Sequence, residues 1–286
     1  MAAQVQSGDG GQLAKQLSQV VLSRIASDKL VLLSFGPAAV RCLELLKNSE
    51  ASPTQLGEAL ERDPILVAQL LREAGVGSIA EATQRLGPTR LRTWLGEAAA
   101  RQVSESRNKR IADSARAVWE HSLGVAILAR DLAALAQAEA PDAAFLAGLL
   151  HDIGKPLIAG MLLEVERQMG SGRNALDMSA EDWQRAVADC HRPIGEALTA
   201  KWALPRSVAR CIKDVTEYDA ADRGSPVNFV VFANALAKRC GLYPGHFDAE
   251  EVGALELIGR SMLGLQDDVV ARLAGGLAER VRGQLT

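Results

Sequence analysis

Apolar positions recur along this chain in steps of three and four, with polar residues filling the intervals. Val118, His121, Val125, Leu128, Leu132 and Leu135 fall on one helical stripe. A second stripe joins Trp183, Val187, His191, Ile194 and Leu198, and a third joins Val227, Val230, Asn234 and Ala237. Helix starts are marked by their chemistry. Ser52-Pro53-Thr54-Gln55 and Ser78-Ile79-Ala80-Glu81 fit the capping box. Asp63-Pro64 and Gly87-Pro88 put proline at the first helical position, where its missing N–H costs nothing. The run VNFVVFANALA at 227–237 has the β-branched content of a strand, yet its Ser225-Pro226 start and its drift into Ala, Leu and Lys favour a buried helix. No alternating run bounded by turn residues competes with these signals. The pattern therefore predicts an all-α fold in which each apolar stripe packs on a neighbouring helix.

The rhythm breaks near 101–112, where polar and charged residues separate two well-patterned blocks. This divides the chain into an N-terminal segment with a first helix (1–29), an N-terminal helical subdomain (30–106), a second helical subdomain (107–241) and C-terminal helices packed on the bundle (242–286). Two helices are expected in the last part, around 248–263 and 267–285. No repeat of fixed period emerges.

Composition narrows the function. With 286 residues and 48% hydrophobic content, the chain can bury one large core or two moderate ones. A net charge of −3, from 32 basic and 35 acidic residues, sets up no overall field toward nucleic acid or an anionic membrane. The densest basic stretch, 101–116, is diluted by acids and Ser and reads as a solvated helix connection. With 4% aromatic residues there are no stacking platforms for nucleic acid either. Cys42, Cys190, Cys211 and Cys240 show no CxxC spacing and lie in helical patterns, so reduced, buried thiols are expected, with no disulfide and no zinc ribbon. The first residues lack a basic region followed by an apolar one, and the longest uncharged stretch, 224–237, is too short to span a bilayer. A soluble, cytoplasmic protein with no membrane partner is expected.

The unusual polar residues concentrate in 107–241, which holds three of the four histidines, His121, His151 and His191. His121, His191 and Asn234 point where core residues point. In FLAGLLHDIGKPLIAGML the stripe Phe145, Leu146, Leu149, Leu150 runs directly into His151-Asp152, just ahead of Gly154. Any one of these is most simply a core residue satisfied by backbone or water. Taken together, imidazoles and a carboxylate from separate helices are also how helical proteins build metal sites. Lys155 has two readings as well: a contact to a substrate phosphate, or a helix-end lysine pairing with a carboxylate such as Asp152, the second being favoured. His246, in LYPGHFD, reads as an exposed turn residue.

This ordered set resembles a family. His121, then HDIGK at 151–155, then His191 followed by GEALTAKWALP, is similar to the HD superfamily and specifically to its HDOD branch, the HD-related output domain of bacteria. FGPAAVRCLELL, LGEALERDPILVAQLLREAG and SIAEATQRLGPTRLRTWL resemble the N-terminal helical half of that branch, so the resemblance runs from about 30 to 241. It implies a multi-helix HD-like bundle preceded by an N-terminal helical subdomain.

In the wider superfamily a metal is held by a His, an adjacent His-Asp pair and a distant Asp, and activates a water for attack on a phosphoester. Carried over, His121, His151 and Asp152 match the first three. The position resembling the distant Asp is Asn234, whose amide oxygen can coordinate but brings no charge. Losing a unit charge at about 4 Å forfeits on the order of 4 kcal/mol per cationic charge at an effective dielectric near 20, before solvation offsets. HD-GYP phosphodiesterases and many HDOD relatives also carry a His-His pair after the LP turn, where this chain has Val215 and Thr216, and the GYP signature is absent. His191, a bridging-site ligand in the multimetal enzymes, thus lacks its usual companions. Asp214 is the one nearby carboxylate, and beside Lys213 it reads as solvent-facing.

The resemblance therefore implies a non-catalytic bacterial signal-transduction or regulatory module with a degenerate metal site at His121, His151 and Asp152, and with Lys155, His191 and Asn234 as additional site residues. No cofactor is required on this reading, beyond a weakly bound divalent Fe, Mn or Zn ion. A protein partner of a signalling pathway is expected, with a nucleotide as a further ligand. The alternative is a metal-dependent phosphohydrolase or phosphodiesterase acting on a nucleotide or cyclic dinucleotide.

Overall fold

The computed structural model describes residues 10–30, 38–47, 52–100, 109–168, 180–213, 216–243 and 245–285. Among these residues every regular element is a helix, as the hydrophobic pattern predicts. The first helix, α1 (Gly10–Ala26), is followed by α2 (Ala38–Leu45), α3 (Pro53–Leu60), α4 (Pro64–Ala74) and α5 (Ile79–Ala100). The sequence signals act where they are expected. Ser52 and Gln55 close a reciprocal capping box at the start of α3. The buried Asp63 carboxylate accepts the Ile65 and Leu66 N–H groups at the start of α4, with Pro64 in the first helical position. Ser78 accepts the Glu81 N–H ahead of α5. Gly87, at φ +67°, breaks α5 internally so that Pro88 begins a fresh run.

The second half is built on α6 (Lys109–Leu135), α7 (Pro141–Leu150), α8 (Gly154–Gln168), α9 (Ala180–Lys201), α10 (Arg206–Lys213) and α11 (Pro226–Arg239). Helix α6 packs against both α7 and α11, while α9 packs against α1, α8 and α10. The strand-like run at 227–237 is helix, and every residue of it is buried. The α6 stripe is buried from Val118 through Leu132, but Leu135 at the helix end is 51% exposed, because the chain turns away there at Ala136 and Gln137.

At the C-terminus α12 (Ala249–Leu263) lies on α11. The expected second C-terminal helix is two, α13 (Asp267–Ala274) and α14 (Leu277–Leu285), because Gly275 and Gly276 interrupt it and Gly276 takes φ +68°. Helix α14 packs on α6 through the buried Leu277 and Val281. The buried residues form one continuous apolar core from Val21 to Val281. Cys42, Cys190 and Cys211 are buried free thiols and Cys240 is half-buried. No helix among the described residues is long and apolar enough to cross a membrane.

Candidate metal centre

Three glycines and a tight turn bring the polar residues together. Gly148 lets α7 approach α6 so closely that a Cβ there would lie 2.9 Å from the Ala126 Cα. Helix α7 ends at Leu150, a single turn carries His151, Asp152 and Ile153, and α8 begins at Gly154. The Lys155 N–H bonds the Asp152 carbonyl at 2.8 Å and the Ile153 N–H bonds Leu150 at 3.0 Å, which fixes the direction of both side chains in the turn. Gly154 and Gly195 make room for α9 against this turn.

The outcome is one carboxylate ringed by three imidazoles and an ammonium. His121 Nε2 lies 3.5 Å and His151 Nε2 3.3 Å from Asp152 Oδ2, and His191 Nε2 lies 3.3 Å from Oδ1. The Lys155 ammonium donates to Oδ2. His121, His151, Asp152 and Lys155 are all buried, and the His191 side chain is nearly so. The nitrogens and carboxylate oxygen of His121, His151 and Asp152 all fall within 4.8 Å of one another.

Each imidazole is held the same way. Nδ1 of His121 meets the Leu242 carbonyl at 2.6 Å, Nδ1 of His151 meets Gly148 at 2.7 Å and Nδ1 of His191 meets Ala188 at 2.7 Å. A carbonyl can only accept, so each Nδ1 carries its hydrogen, and each Nε2 is turned toward Asp152. Burial lowers the His121 imidazole from 6.5 to about 4, partly offset by the neighbouring Asp152. Burial alone would raise the Asp152 carboxyl, but the Lys155 ammonium and the adjacent His151 outweigh it and hold it well below the usual carboxylate range. At His121 a bare Nε2 lone pair therefore faces the carboxylate. The Nε2 atoms of His121 and His151 are buried with no hydrogen-bond partner, which is the condition a divalent cation would relieve. Backbone-anchored Nδ1 groups are the usual outer support of metal-ligating histidines. The donor set thus fits a metal ion, which His121, His151 and Asp152 would hold with His191 on the second carboxylate oxygen. Such an ion, when bound, polarises a phosphoryl oxygen or acidifies a water.

The remaining sequence candidates fall as follows. Of the two readings of Lys155, the ion pair with Asp152 is the one formed. Asn234 is 5% exposed on α11, which packs on α6, and its Oδ1 has no partner. Thr216 and His246 are exposed. Asp214 and Val215 lie outside the described residues, as does the first half of the basic stretch, 101–108.

Two residues of the centre have no counterpart in the sequence reading. Leu242 supplies a main-chain carbonyl, which no side-chain pattern records. Tyr243 packs edge-on against His121 at 5.1 Å between centroids. Its one signal is rarity, since the chain has two tyrosines.

The fold and the buried His/Asp centre define an HD-type helical protein. The HDOD domain family matches residues 32–218, and the chain belongs to that family. No curated protein sequence matches it. Among solved structures, the MmoQ response regulator of Methylococcus capsulatus str. Bath aligns over 86% of this chain and 98% of its own, with a TM-score of 0.61 and 21% identity. A virulence factor of Campylobacter jejuni subsp. jejuni aligns over 93% of this chain and 96% of its own, with a TM-score of 0.59 and 13% identity. A Shewanella amazonensis SB2B protein, whose name offers metal-dependent phosphohydrolase as a suggestion, aligns over 96% and 100%, with a TM-score of 0.54 and 19% identity. At these identities the three support the fold.

Proposed function

We propose that this chain is a non-catalytic regulatory module of a bacterial signalling pathway, in which the His/Asp centre serves architecture and weak ligand binding. The observation that carries this reading is the Lys155 ammonium on Asp152 Oδ2, the oxygen that also faces His121 and His151. Asp152 is the sole carboxylate of the centre among the described residues, and Lys155 already neutralises it. With Asp152 paired to Lys155 and an amide at Asn234, the ligand set brings no net negative charge to a divalent cation. A site of that kind holds its cation weakly and gives little power to acidify a water. Its partner on this reading is another protein of the same pathway, met through the helical surface, in keeping with family membership.

Convergence of three imidazoles on one carboxylate, with the Nε2 atoms of His121 and His151 unpartnered, is what favours the second reading, a metal-dependent phosphohydrolase. The two are separated by incubating purified protein with Mn²⁺, Fe²⁺ or Zn²⁺ and a phosphomonoester, nucleotides or cyclic dinucleotides, with metal content measured in parallel. The module reading expects no turnover and substoichiometric metal. Turnover that disappears in His151→Ala would establish the enzyme instead.

A further inference from the structure

Beside the His/Asp centre lies a cation that no carboxylate among the described residues meets in an ion pair. Lys238, at the end of α11 and half-buried, forms no ion pair among the described residues. Its ammonium lies 5.1 Å from the centroid of the Tyr243 ring, and the Lys155 ammonium lies 4.8 Å from the same centroid. One aromatic ring thus gathers two ammonium groups. Asp152 satisfies one of them, Lys155, and leaves Lys238 without a contacting anion among the described residues. Burial, and then the charge of Lys155, lower the Lys238 ammonium from its ordinary value. Arg192 adds to this, while Asp152 and Glu251 oppose it from beyond contact. Tyr243 also carries Phe247 edge-on at 6.0 Å, and Phe247 is 41% exposed. The arrangement is anchored to the centre itself, because the Leu242 carbonyl next to Tyr243 accepts from His121 Nδ1. Lys238, Tyr243 and Phe247 all lie beyond the matched region, 32–218.

We propose that Lys238, beside the Tyr243 ring and in the field of Lys155, forms an anion subsite that takes the phosphate of a nucleotide, whose base rests on Phe247. A phosphoryl group suits the pair because it offers three acceptor oxygens and up to two charges. Its oxygens can accept from the half-buried Lys238 ammonium, which has three donors, while the charge of Lys155 adds to the attraction. An exposed aromatic ring beside a cation is also how a base is stacked without sequence readout. The proposal rests on the reading of the centre as one that binds rather than turns over.

Calorimetric titration of the full chain in chelator, with AMP, adenosine and inorganic phosphate as probes, tests it. AMP is expected to bind at least tenfold more tightly than adenosine. Lys238→Met should weaken AMP at least tenfold, and Lys238→Arg should retain most of the affinity. Phe247→Ser should weaken AMP while leaving phosphate unchanged. Should Lys238→Met alter the melting curve, Lys238→Gln gives the same comparison. AMP bound equally by wild type and these neutral variants, or adenosine bound as tightly as AMP, would overturn the subsite, as would no AMP binding to wild type. Chromatography of the AMP after incubation with protein and Mn²⁺ keeps the two readings apart. Hydrolysed AMP defeats the non-catalytic reading, and the Lys238 comparison still decides the subsite.

Discussion

Gly154 and His191 meet backbone to backbone: a Cβ on Gly154 would lie 1.9 Å from the His191 carbonyl oxygen and 2.7 Å from its carbonyl carbon. The glycine of the HDIGK motif is therefore what lets α8 begin directly against α9, and it sets the spacing between Asp152 and His191. Because the obstacle is main chain in the middle of a long helix, it cannot rotate away. Gly154→Ala should destabilise the protein by at least about 3 kcal/mol, the upper end for overpacking a close-packed interior. Gly253 in α12 is the control, since a Cβ there meets nothing within 4 Å. Gly253→Ala should instead gain up to about 1 kcal/mol from helix propensity. Urea unfolding of the two variants beside wild type checks both signs, and equal effects would remove the close approach as the cause.

Buried, neutral His121 makes stability depend on pH in a definite window. Its folded pKa of about 4 lies below the ordinary 6.5, so between those values the unfolded chain binds a proton that the folded chain does not. Stability must fall as pH drops from 6.5 to about 4, by on the order of 3 kcal/mol, and this contribution levels off below that. Asp152 acts with the same sign but lower, since its folded pKa lies below 3.8 and its stabilisation fades only as pH falls beneath that value. Urea unfolding in chelator from pH 7 to 4 should show the loss, and His121→Asn, less stable throughout, should show a shallower slope over the same window. Parallel slopes would mean that the titrating group lies elsewhere.

How much of this was legible in the sequence follows from the range of each interaction. The α6 stripe, the Asp63 cap and the Gly87-Pro88 break depend on neighbours three or four positions away, and periodicity records those directly. His151-Asp152 was visible because an apolar stripe ran into it. The pairing of His121 with the Leu242 carbonyl spans 121 residues and involves no side chain at the far end, so no local pattern could announce it. Lys238 was hidden differently. It follows Asn234 by one helical turn on the same face, but a lysine at a helix end reads as a favourable C-terminal charge. Leu135 and the break at Gly275-Gly276 were misread for one reason: a stripe says which face is apolar, and says nothing of where the partner helix stops.

Asn234 decides whether the centre lacks an anion or has dispensed with one. Its Oδ1 is buried without a partner, on the helix that packs against α6 and one turn before Lys238. If that amide stands where HD enzymes keep their distant carboxylate, Asn234→Asp adds a negative charge beside His121, His151 and Asp152. Affinity for Mn²⁺ or Zn²⁺ should then rise at least about tenfold, or 1.4 kcal/mol. In chelator the same change should lower the melting temperature, because a second buried carboxylate near Asp152 raises the pKa of one of them and costs stability at neutral pH. Lys155 can neutralise only one of the two. Calorimetric titration and thermal melts with and without metal make a paired test, whose two halves are expected to move in opposite directions. A variant that matches wild type in both would place Asn234 outside the centre. The neutrality of the site would then be the work of Lys155 alone.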